Sequence, residues 1–338
     1  MAKRIQFSAT GGPEVLQYVD FTPVDPAAGE VQIENKAIGI NYIDTYVRSG
    51  LYPPARLPSG LGTEAAGVVT RVGAGVSVLK PGDRVVYAQS TLGAYSEVHN
   101  VSQEKVALLP HNLSFEQGAA SFLKGLTVHY LLRQTHEVQP GEVFLFHAAA
   151  GGVGLIACQW AKALGAKLIG SVGSDEKAEL AKHAGAWATI NYHKEDIAQR
   201  VSELTQGEKV GVVYDSVGQS TWQASLNSLK RRGLMVSFGN ASGPVTGVDL
   251  ALLNQKGSLY VTRPSLNGYI TNRAELQYAS NELFSLIGSG AIKVDVKEEQ
   301  KFALADAQRA HQVLESRNTS GSSLLIPVAE TNILTISR

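Results

Sequence analysis

The sequence predicts an α/β protein of two domains, one built on a doubly wound parallel sheet and the other mainly antiparallel β. Three observations carry that reading. The chain has 338 residues, more than one hydrophobic core comfortably serves. Its central third alternates apolar strands with helical patterns, the signature of βαβ units under a sheet covered on both faces. Its first third is instead a series of short strands broken by turns.

Taken in order, the first stretch, to about Val106, offers VQIENKAIGI, AAGVVTRVG, DRVVYA and AYSEVHNV as strands, with a turn at Pro81 and Gly82. Helices begin at Ser114, which with Gln117 forms a capping box ahead of apolar residues at helical spacing. The strands VFLFH, AKLIGSV, AWATI, VGVVYDSV, LMVSFG and SLYVTR follow, separated by helices expected to begin near Gly152, Asp175, Lys194 and Ser220. Six strands complete a doubly wound sheet. After Arg263 the pattern predicts a helix around Glu275 to Ile287, a strand near Lys293 to Val296, a helix from Asp306 to Glu315 and a last strand SSLLIPV. This segment is expected to return to the β domain.

Composition narrows the function. Hydrophobic residues at 44% and charged residues at 18% suit a folded chain and not an extended disordered one. Thirty basic residues balance thirty acidic ones, so the broad positive field behind nucleic-acid affinity is missing and nucleic acid is not an expected partner. The single cysteine, Cys158, forms no internal disulfide and no multi-thiolate zinc site, as suits a reducing cytoplasm. No apolar signal core follows Lys3 and Arg4. The longest greasy run, Val143 to Cys158, is sixteen residues against the roughly 20 a membrane-spanning helix needs. No membrane association is expected.

The informative motif is HAAAGGVG, where Ala149, Gly151 and Gly154 make an A-x-G-x-x-G pattern between a strand and a helix, with Gly152 and Val153 inside it. Small residues there let the chain turn sharply, bring backbone N–H groups onto a pyrophosphate at a helix N-terminus and let helix and sheet pack closely. An NAD-binding unit places an acid on the ribose at the end of the next strand. Here that strand ends in Gly173 and Ser174, and Lys177 lies one helical turn on, able to meet a 2′-phosphate. NADP is therefore the expected cofactor. Asp175 stands one residue from the acidic reader's place, and behind Ser174 it is expected in a helical first turn, where the dipole stabilises it. Ser216, Phe238, Gly239 and Asn240 fall at carboxyl ends of later strands, and Pro264, Ser265 and Leu266 leave the sixth strand toward the same crevice.

GGPEVL, NYIDTYVRSGLYP, GTEAAGVV, HAAAGGVG, YDSVG and SFGNASG together resemble the zinc-independent medium-chain dehydrogenases/reductases, and within them the NADPH:quinone oxidoreductases related to zeta-crystallin. The resemblance covers nearly the whole chain. It implies a GroES-like catalytic domain in two pieces, 1–125 and 264–330, around a Rossmann NADP-binding domain at 126–263, with a tail at 331–338, an interdomain cleft for the quinone and a homodimer. Zinc-dependent relatives have Cys and His where this chain has Asn41 and Thr63, both poor zinc ligands, so no metal is expected.

The same resemblance points to Tyr46 and Tyr52 as side chains lining the quinone pocket, their phenols stacking on the ring or donating to its oxygens. It places Asn41, Tyr42 and Asp44 in the same segment, toward ribose or carboxamide, the competing reading being turn hydrogen bonds to their own backbone. Thr127 and Tyr130 share a helix face that meets the nicotinamide half in relatives, with core packing the alternative for Tyr130. Tyr192 is expected beside the adenosine phosphate. Arg317 has the charge for a phosphate or the geometry for a helix cap. The implied activity is NADPH-dependent reduction of a quinone, by hydride or single electrons. Reduction of an enone or enal is the second enzymatic reading. The third is a non-catalytic structural or RNA-binding role, as in zeta-crystallins.

Overall fold

The computed structural model describes residues 1–327, so Val328 of the last expected strand, the close of the 264–330 segment and the 331–338 tail lie outside the described residues. The chain divides into two compact units, Met1–Leu123 with the chain from Asp295 onward, and Lys124–Val294.

The first unit is mainly antiparallel β. Among the described residues its larger sheet runs in the order Lys301–Ala303, Ser323–Ile326, Glu30–Ile40, Ala65–Val72, Arg84–Tyr87 and Val106–Leu108, with Val98–Ser102 also paired to Glu30–Ile40. Strand Glu30–Ile40 is the spine, and Ile33, Ile38 and Ile40 turn into a core that includes Phe7, Val69, Val85, Tyr95 and Leu325. A smaller sheet pairs Ala2–Phe7 with Gln17–Phe21 and Ser59–Gly60, both antiparallel. The helix Tyr42–Ser49 leaves the end of the spine strand and closes at Gly50, whose φ of 90° is left-handed, a conformation glycine adopts without steric cost.

The second unit holds six parallel strands in the order Ala188–Asn191, Lys167–Val172, Val143–Phe146, Val210–Asp215, Leu229–Ser237 and Tyr260–Thr262. Numbered by chain position this is 3-2-1-4-5-6, the doubly wound order, whose ligand crevice opens where the order reverses, between the first and fourth strands. The strands are apolar on both sides because helices cover both faces. Leu145, Ile169, Val213 and Met235 pack with Ile197, Val201, Trp222 and Leu226 of the crossover helices. Those helices, Gly152–Ala163, Asp175–His183, Ile197–Leu204 and Trp222–Ser228, begin close to where the periodicity places them. The capping box forms as its spacing predicts, with Ser114 N–H donating to Gln117 Oε1 at 3.0 Å and Gln117 N–H to Ser114 Oγ at 3.0 Å.

Two expectations are corrected. The strand expected near Lys293 to Val296 does not form. Lys293 N–H donates instead to the Gln159 side chain at 2.7 Å, and Ile292 N–H to Leu286 at 3.0 Å, so the segment is tied to helices and not to a ladder. The return expected at 264 comes at Asp295. Between them the helix Arg273–Gly288 buries Leu276, Ala279 and Leu283. A Cβ on Gly125 would lie 2.5 Å from Leu283, and Glu282 receives His129 at 3.0 Å and Arg133 at 3.2 Å, which bind that helix into the second unit.

Candidate functional site

The turn after the first strand of the parallel sheet is shaped by exclusion. A Cβ on Gly154 would stand 2.3 Å from the Ala148 carbonyl oxygen and 2.6 Å from the backbone of Ala149, so only glycine lets the helix Gly152–Ala163 start this close to the strand. Gly151 differs: its Cβ would meet only the Ala148 oxygen, at 3.3 Å, and the space beyond is open for a ligand. Ala148 itself sits at φ 53°, a left-handed backbone uncommon for a residue with a side chain and concentrated at functional turns. Gly151, Gly152, Val153 and Gly154 thus form a small-residue cradle on a helix N-terminus, the arrangement that accepts a diphosphate. The residues fit a dinucleotide.

Beside it, at the end of the second strand, the structure brings Gly173, Ser174, Lys177 and Tyr192 together. Ser174 caps the helix, its hydroxyl accepting Lys177 N–H at 3.2 Å. A Cβ on Gly173 would lie 2.6 Å from the Tyr192 hydroxyl, so the phenol lies across the glycine. Asp175 is in the first helical turn and engaged: it accepts Asn191 Nδ2 at 2.8 Å and pairs with Lys194, whose hydrogen bond is the main reason its carboxyl is held below the usual range. That occupation supports reading it as a capping-turn acid. The fourth and fifth strand ends also meet. Phe238 N–H donates to Asp215 at 2.8 Å and Ala241 N–H to Ser216 at 3.1 Å, which sets Ser216, Phe238, Gly239 and Asn240 in one loop pair. Pro264, Ser265 and Leu266 follow the sixth strand, Ser265 standing just before the short helix Leu266–Tyr269. Thr127 is half-buried. Tyr130 is buried and stacked on Tyr269, ring centres 4.6 Å apart and 11° from parallel. Burial raises its phenol above the ordinary range.

In the first unit the helix Tyr42–Ser49 carries most of the remaining candidates. Tyr46 makes an edge-on contact with Tyr52 at 5.5 Å and a tilted one with Tyr42 at 6.3 Å, so the three rings form one aromatic cluster with Tyr52 37% exposed. Tyr42 donates to the Leu314 carbonyl at 3.3 Å. Arg317 lies beside that phenol with a left-handed φ of 60°, just past the helix Ala307–Glu315. Asn41 is buried, and its amide donates to Glu64 Oε2 at 2.7 Å while Glu64 Oε1 accepts Leu123 N–H at 2.6 Å.

Asp44 is 1% exposed and is turned to internal work: it accepts Asn41 N–H at 2.9 Å and the Tyr95 hydroxyl at 2.8 Å. Behind it Arg48 reaches His311 Nδ1 at 2.8 Å and Glu315 through two bonds of 3.0 and 2.7 Å. Because guanidinium only donates, His311 Nδ1 accepts and Nε2–H donates to Tyr95, 3.0 Å away. Burial, reinforced by the Arg48 charge, lowers the His311 pKa to about 3, so the ring is neutral. The turn-bonding alternative for Asp44 is the one its geometry favours.

Sequence reasoning passed over Glu64, Tyr95 and His311, and also His147 and Asp215 under the cradle. Glu64 carried a usable signal, since a lone acid inside the apolar GTEAAGVV is buried only when paired. The residues do not fit zinc: Asn41 offers an amide already held by Glu64, and among the described residues no group of three or more His, Cys, Asp or Glu is arranged for a metal. Cys158 is fully buried, its thiol 3.7 Å from the Ala149 carbonyl, and burial pushes its pKa up to about 12.

Comparison with known proteins agrees with this geometry. Residues 27–138 match the family model described as alcohol dehydrogenase GroES-like domain, and residues 152–286 the one described as zinc-binding dehydrogenase. The chain is 73% identical over 327 residues to a quinone oxidoreductase of Salmonella typhimurium, covering 97% of this chain and 100% of that protein. The crystal structure of Escherichia coli quinone oxidoreductase complexed with NADPH matches with a TM-score of 0.96 at 72% identity, covering 96% of this chain and 100% of that one. A 2-haloacrylate reductase of Burkholderia sp is 41% identical over 325 residues, covering 94% of this chain and 97% of that protein.

Proposed function

The chain belongs to the quinone oxidoreductase family of zinc-independent medium-chain dehydrogenases/reductases, and from that membership we propose that it reduces quinones with electrons from NADPH. The observation that carries the reading is the cradle at residues 148–154 with Gly173, Ser174, Lys177 and Tyr192 beside it. The first suits a diphosphate, and the second supports NADPH with a lysine in the first turn of the helix after the second strand and a phenol lying over Gly173. Gly151 to Gly154 hold the diphosphate, Lys177 and Tyr192 the adenosine end, and Ser216, Gly239, Asn240 and Pro264 to Leu266 line the course of the dinucleotide.

Bound NADPH supplies the reducing equivalents. The acceptor is already electrophilic, so the protein's share of the chemistry is orientation and weak donation, not Lewis-acid polarisation. Tyr46 and Tyr52 take that share, their rings flanking a flat acceptor and a hydroxyl donating to its oxygen. Asn41, its amide held by Glu64, orients the cofactor's reactive half.

Two further readings accompany this one. The chain works as a homodimer, supported by the strand Tyr260–Thr262, which ends the parallel sheet with Tyr260 59% and Val261 40% exposed. A bare edge with apolar side chains pairs favourably with its own copy about a two-fold axis. It works in the cytoplasm, supported by the lone buried thiol; among the described residues no helix is long and apolar enough to cross a membrane.

The test is NADPH oxidation followed with 1,4-benzoquinone and with a simple enone, alongside fluorescence titration of NADPH and NADH. Quinone-dependent turnover and tighter binding of NADPH are expected. Turnover of the enone alone would favour the activated-alkene chemistry named for the Burkholderia relative. Failure to oxidise NADPH with either acceptor would end the enzymatic reading.

A further inference from the structure

Beneath the cradle, at the point where the strand order reverses, runs a buried polar chain that none of the cofactor assignments uses. His147, directly after the first strand, is fully buried. Its Nδ1 lies 2.7 Å from Ser171 Oγ on the second strand, and its Nε2 lies 2.8 Å from Ser225 Oγ on the helix Trp222–Ser228. Ser225 Oγ is 2.6 Å from Asp215 Oδ2, at the end of the fourth strand. Asp215 Oδ1 accepts Val217 N–H at 2.8 Å and Gly218 N–H at 3.0 Å, and Thr221 Oγ1 donates to both carboxylate oxygens at 2.8 and 2.7 Å.

The direction of every bond in the chain follows. Asp215 is ionised: burial opposes its charge, but the donors from Ser225, Thr221 and Gly218 hold its carboxyl below the ordinary range. A carboxylate only accepts, so the single Ser225 hydrogen goes to Asp215. Ser225 Oγ must then accept from His147, which fixes the proton on Nε2. Burial lowers the His147 pKa, so the ring carries one proton, Nδ1 is an acceptor, and Ser171 donates to it. The chain runs one way, Ser171 to His147 to Ser225 to Asp215.

Three of the four members stand within two residues of a segment assigned to the dinucleotide. His147 precedes the 148–154 turn, Ser171 precedes Gly173 and Ser174, and Asp215 precedes Ser216. The chain also ties the two strands whose carboxyl ends border the ligand crevice. We propose that His147 is a positioning residue for the cofactor: its Nε2–H tautomer locks the ends of the second, first and fourth strands at one spacing and so pre-forms the diphosphate cradle. This rests on the cofactor reading above. A protein that arrives with the cradle already ordered loses less entropy when the ligand binds, so the effect falls on affinity and not on the chemical step.

The experiment compares the full chain with His147→Leu, Ser171→Ala and Ser225→Ala, each checked for a native melting transition, by calorimetric titration of NADPH and of NADH and by steady-state kinetics with 1,4-benzoquinone. His147→Leu is expected to raise both dissociation constants by the same factor, about tenfold to thirtyfold, and each serine variant by about threefold to tenfold, from the loss of buried hydrogen bonds. The turnover number at saturating NADPH stays within twofold. Should His147→Leu not fold, the serine variants carry the test, and nitrogen NMR of the unsubstituted enzyme gives an independent reading: His147 must show a proton on Nε2 and none on Nδ1. Dissociation constants within twofold in the folded variants, a loss confined to the turnover number, or a proton on Nδ1 overturns the proposal. If Gly151→Ala leaves NADPH binding unchanged, the cofactor reading itself falls, and that outcome does not depend on any His147 variant.

Discussion

The two glycines of the cradle make different predictions when each receives one methyl group. At Gly154 the added Cβ falls 2.3 Å from the Ala148 oxygen and 2.6 Å from Ala149 backbone atoms. An ordinary contact is about 3.5 to 4 Å, so the methyl must push the helix start away from the strand by about 1 Å, and no flexible side chain is there to yield. Overpacking of this kind costs about 1–3 kcal/mol, which for a domain of this size lowers the melting temperature by about 2–12 °C. Gly154→Ala is therefore expected to lose stability and NADPH affinity together. At Gly151 the methyl meets one atom at 3.3 Å, a contact relieved by a few tenths of an ångström, and otherwise points into open space. Gly151→Ala is expected to melt within about 1 °C of the unsubstituted protein, yet to bind NADPH at least about tenfold more weakly, because the methyl occupies the ground where backbone approaches the diphosphate. Differential scanning calorimetry without ligand and NADPH titration separate the two effects. If Gly151→Ala binds NADPH normally, or if both variants melt alike, the cradle is a packing feature and the argument from its shape is wrong.

Lys177→Ala should weaken NADPH about tenfold, the loss of one charge-assisted contact, and leave NADH unchanged; equal loss for both in paired titrations would remove Lys177 from the 2′-phosphate. Tyr52→Ala should raise the quinone KM about threefold to tenfold through the lost ring contact without altering NADPH binding, and an unchanged KM takes Tyr52 out of the substrate site. His311 is neutral when folded, with its pKa down at about 3 from an ordinary 6.5, whereas the unfolded ring takes up a proton near its ordinary value. Its contribution is therefore present above about pH 6.5 and is lost progressively as pH falls toward 3. At pH 5 this one group removes about 2 kcal/mol relative to pH 8, and His311→Gln should flatten that part of the pH dependence of the melting temperature; an unaltered pH profile would contradict the assignment. Val261→Lys should place a charge on the bare sheet edge and yield monomers in sedimentation, and a dimer that survives the change would locate the interface elsewhere.

The parallel sheet was legible in the sequence because each of its layers has its own period. Runs such as VFLFH and VGVVYDSV are short, apolar and bounded by turn residues, which favours strands buried on both faces, and the glycines of HAAAGGVG mark the turn between strand and helix. The return of the chain to the β domain was not legible to the residue, because the helix Arg273–Gly288 is amphipathic whichever unit it joins. What assigns it is the fit of Leu283 against Gly125, a contact between positions far apart in sequence. For the same reason Asp44 reads as a ligand-binding acid in NYIDTYVRSGLYP, whereas its partner Tyr95 lies fifty-one positions away. His147 and Asp215 sit in motifs that draw attention to their glycines, and the chain that joins them becomes visible only when three strands lie side by side.

The burial of Cys158 has a meaning beyond packing. Quinones are Michael acceptors that arylate thiolates, so an enzyme that gathers them exposes its own nucleophiles to attack. This sequence contains one sulfhydryl, and it is sealed under the cradle with its pKa raised to about 12, so at neutral pH almost none of it is thiolate. The protein presents its substrate with no accessible thiol to modify.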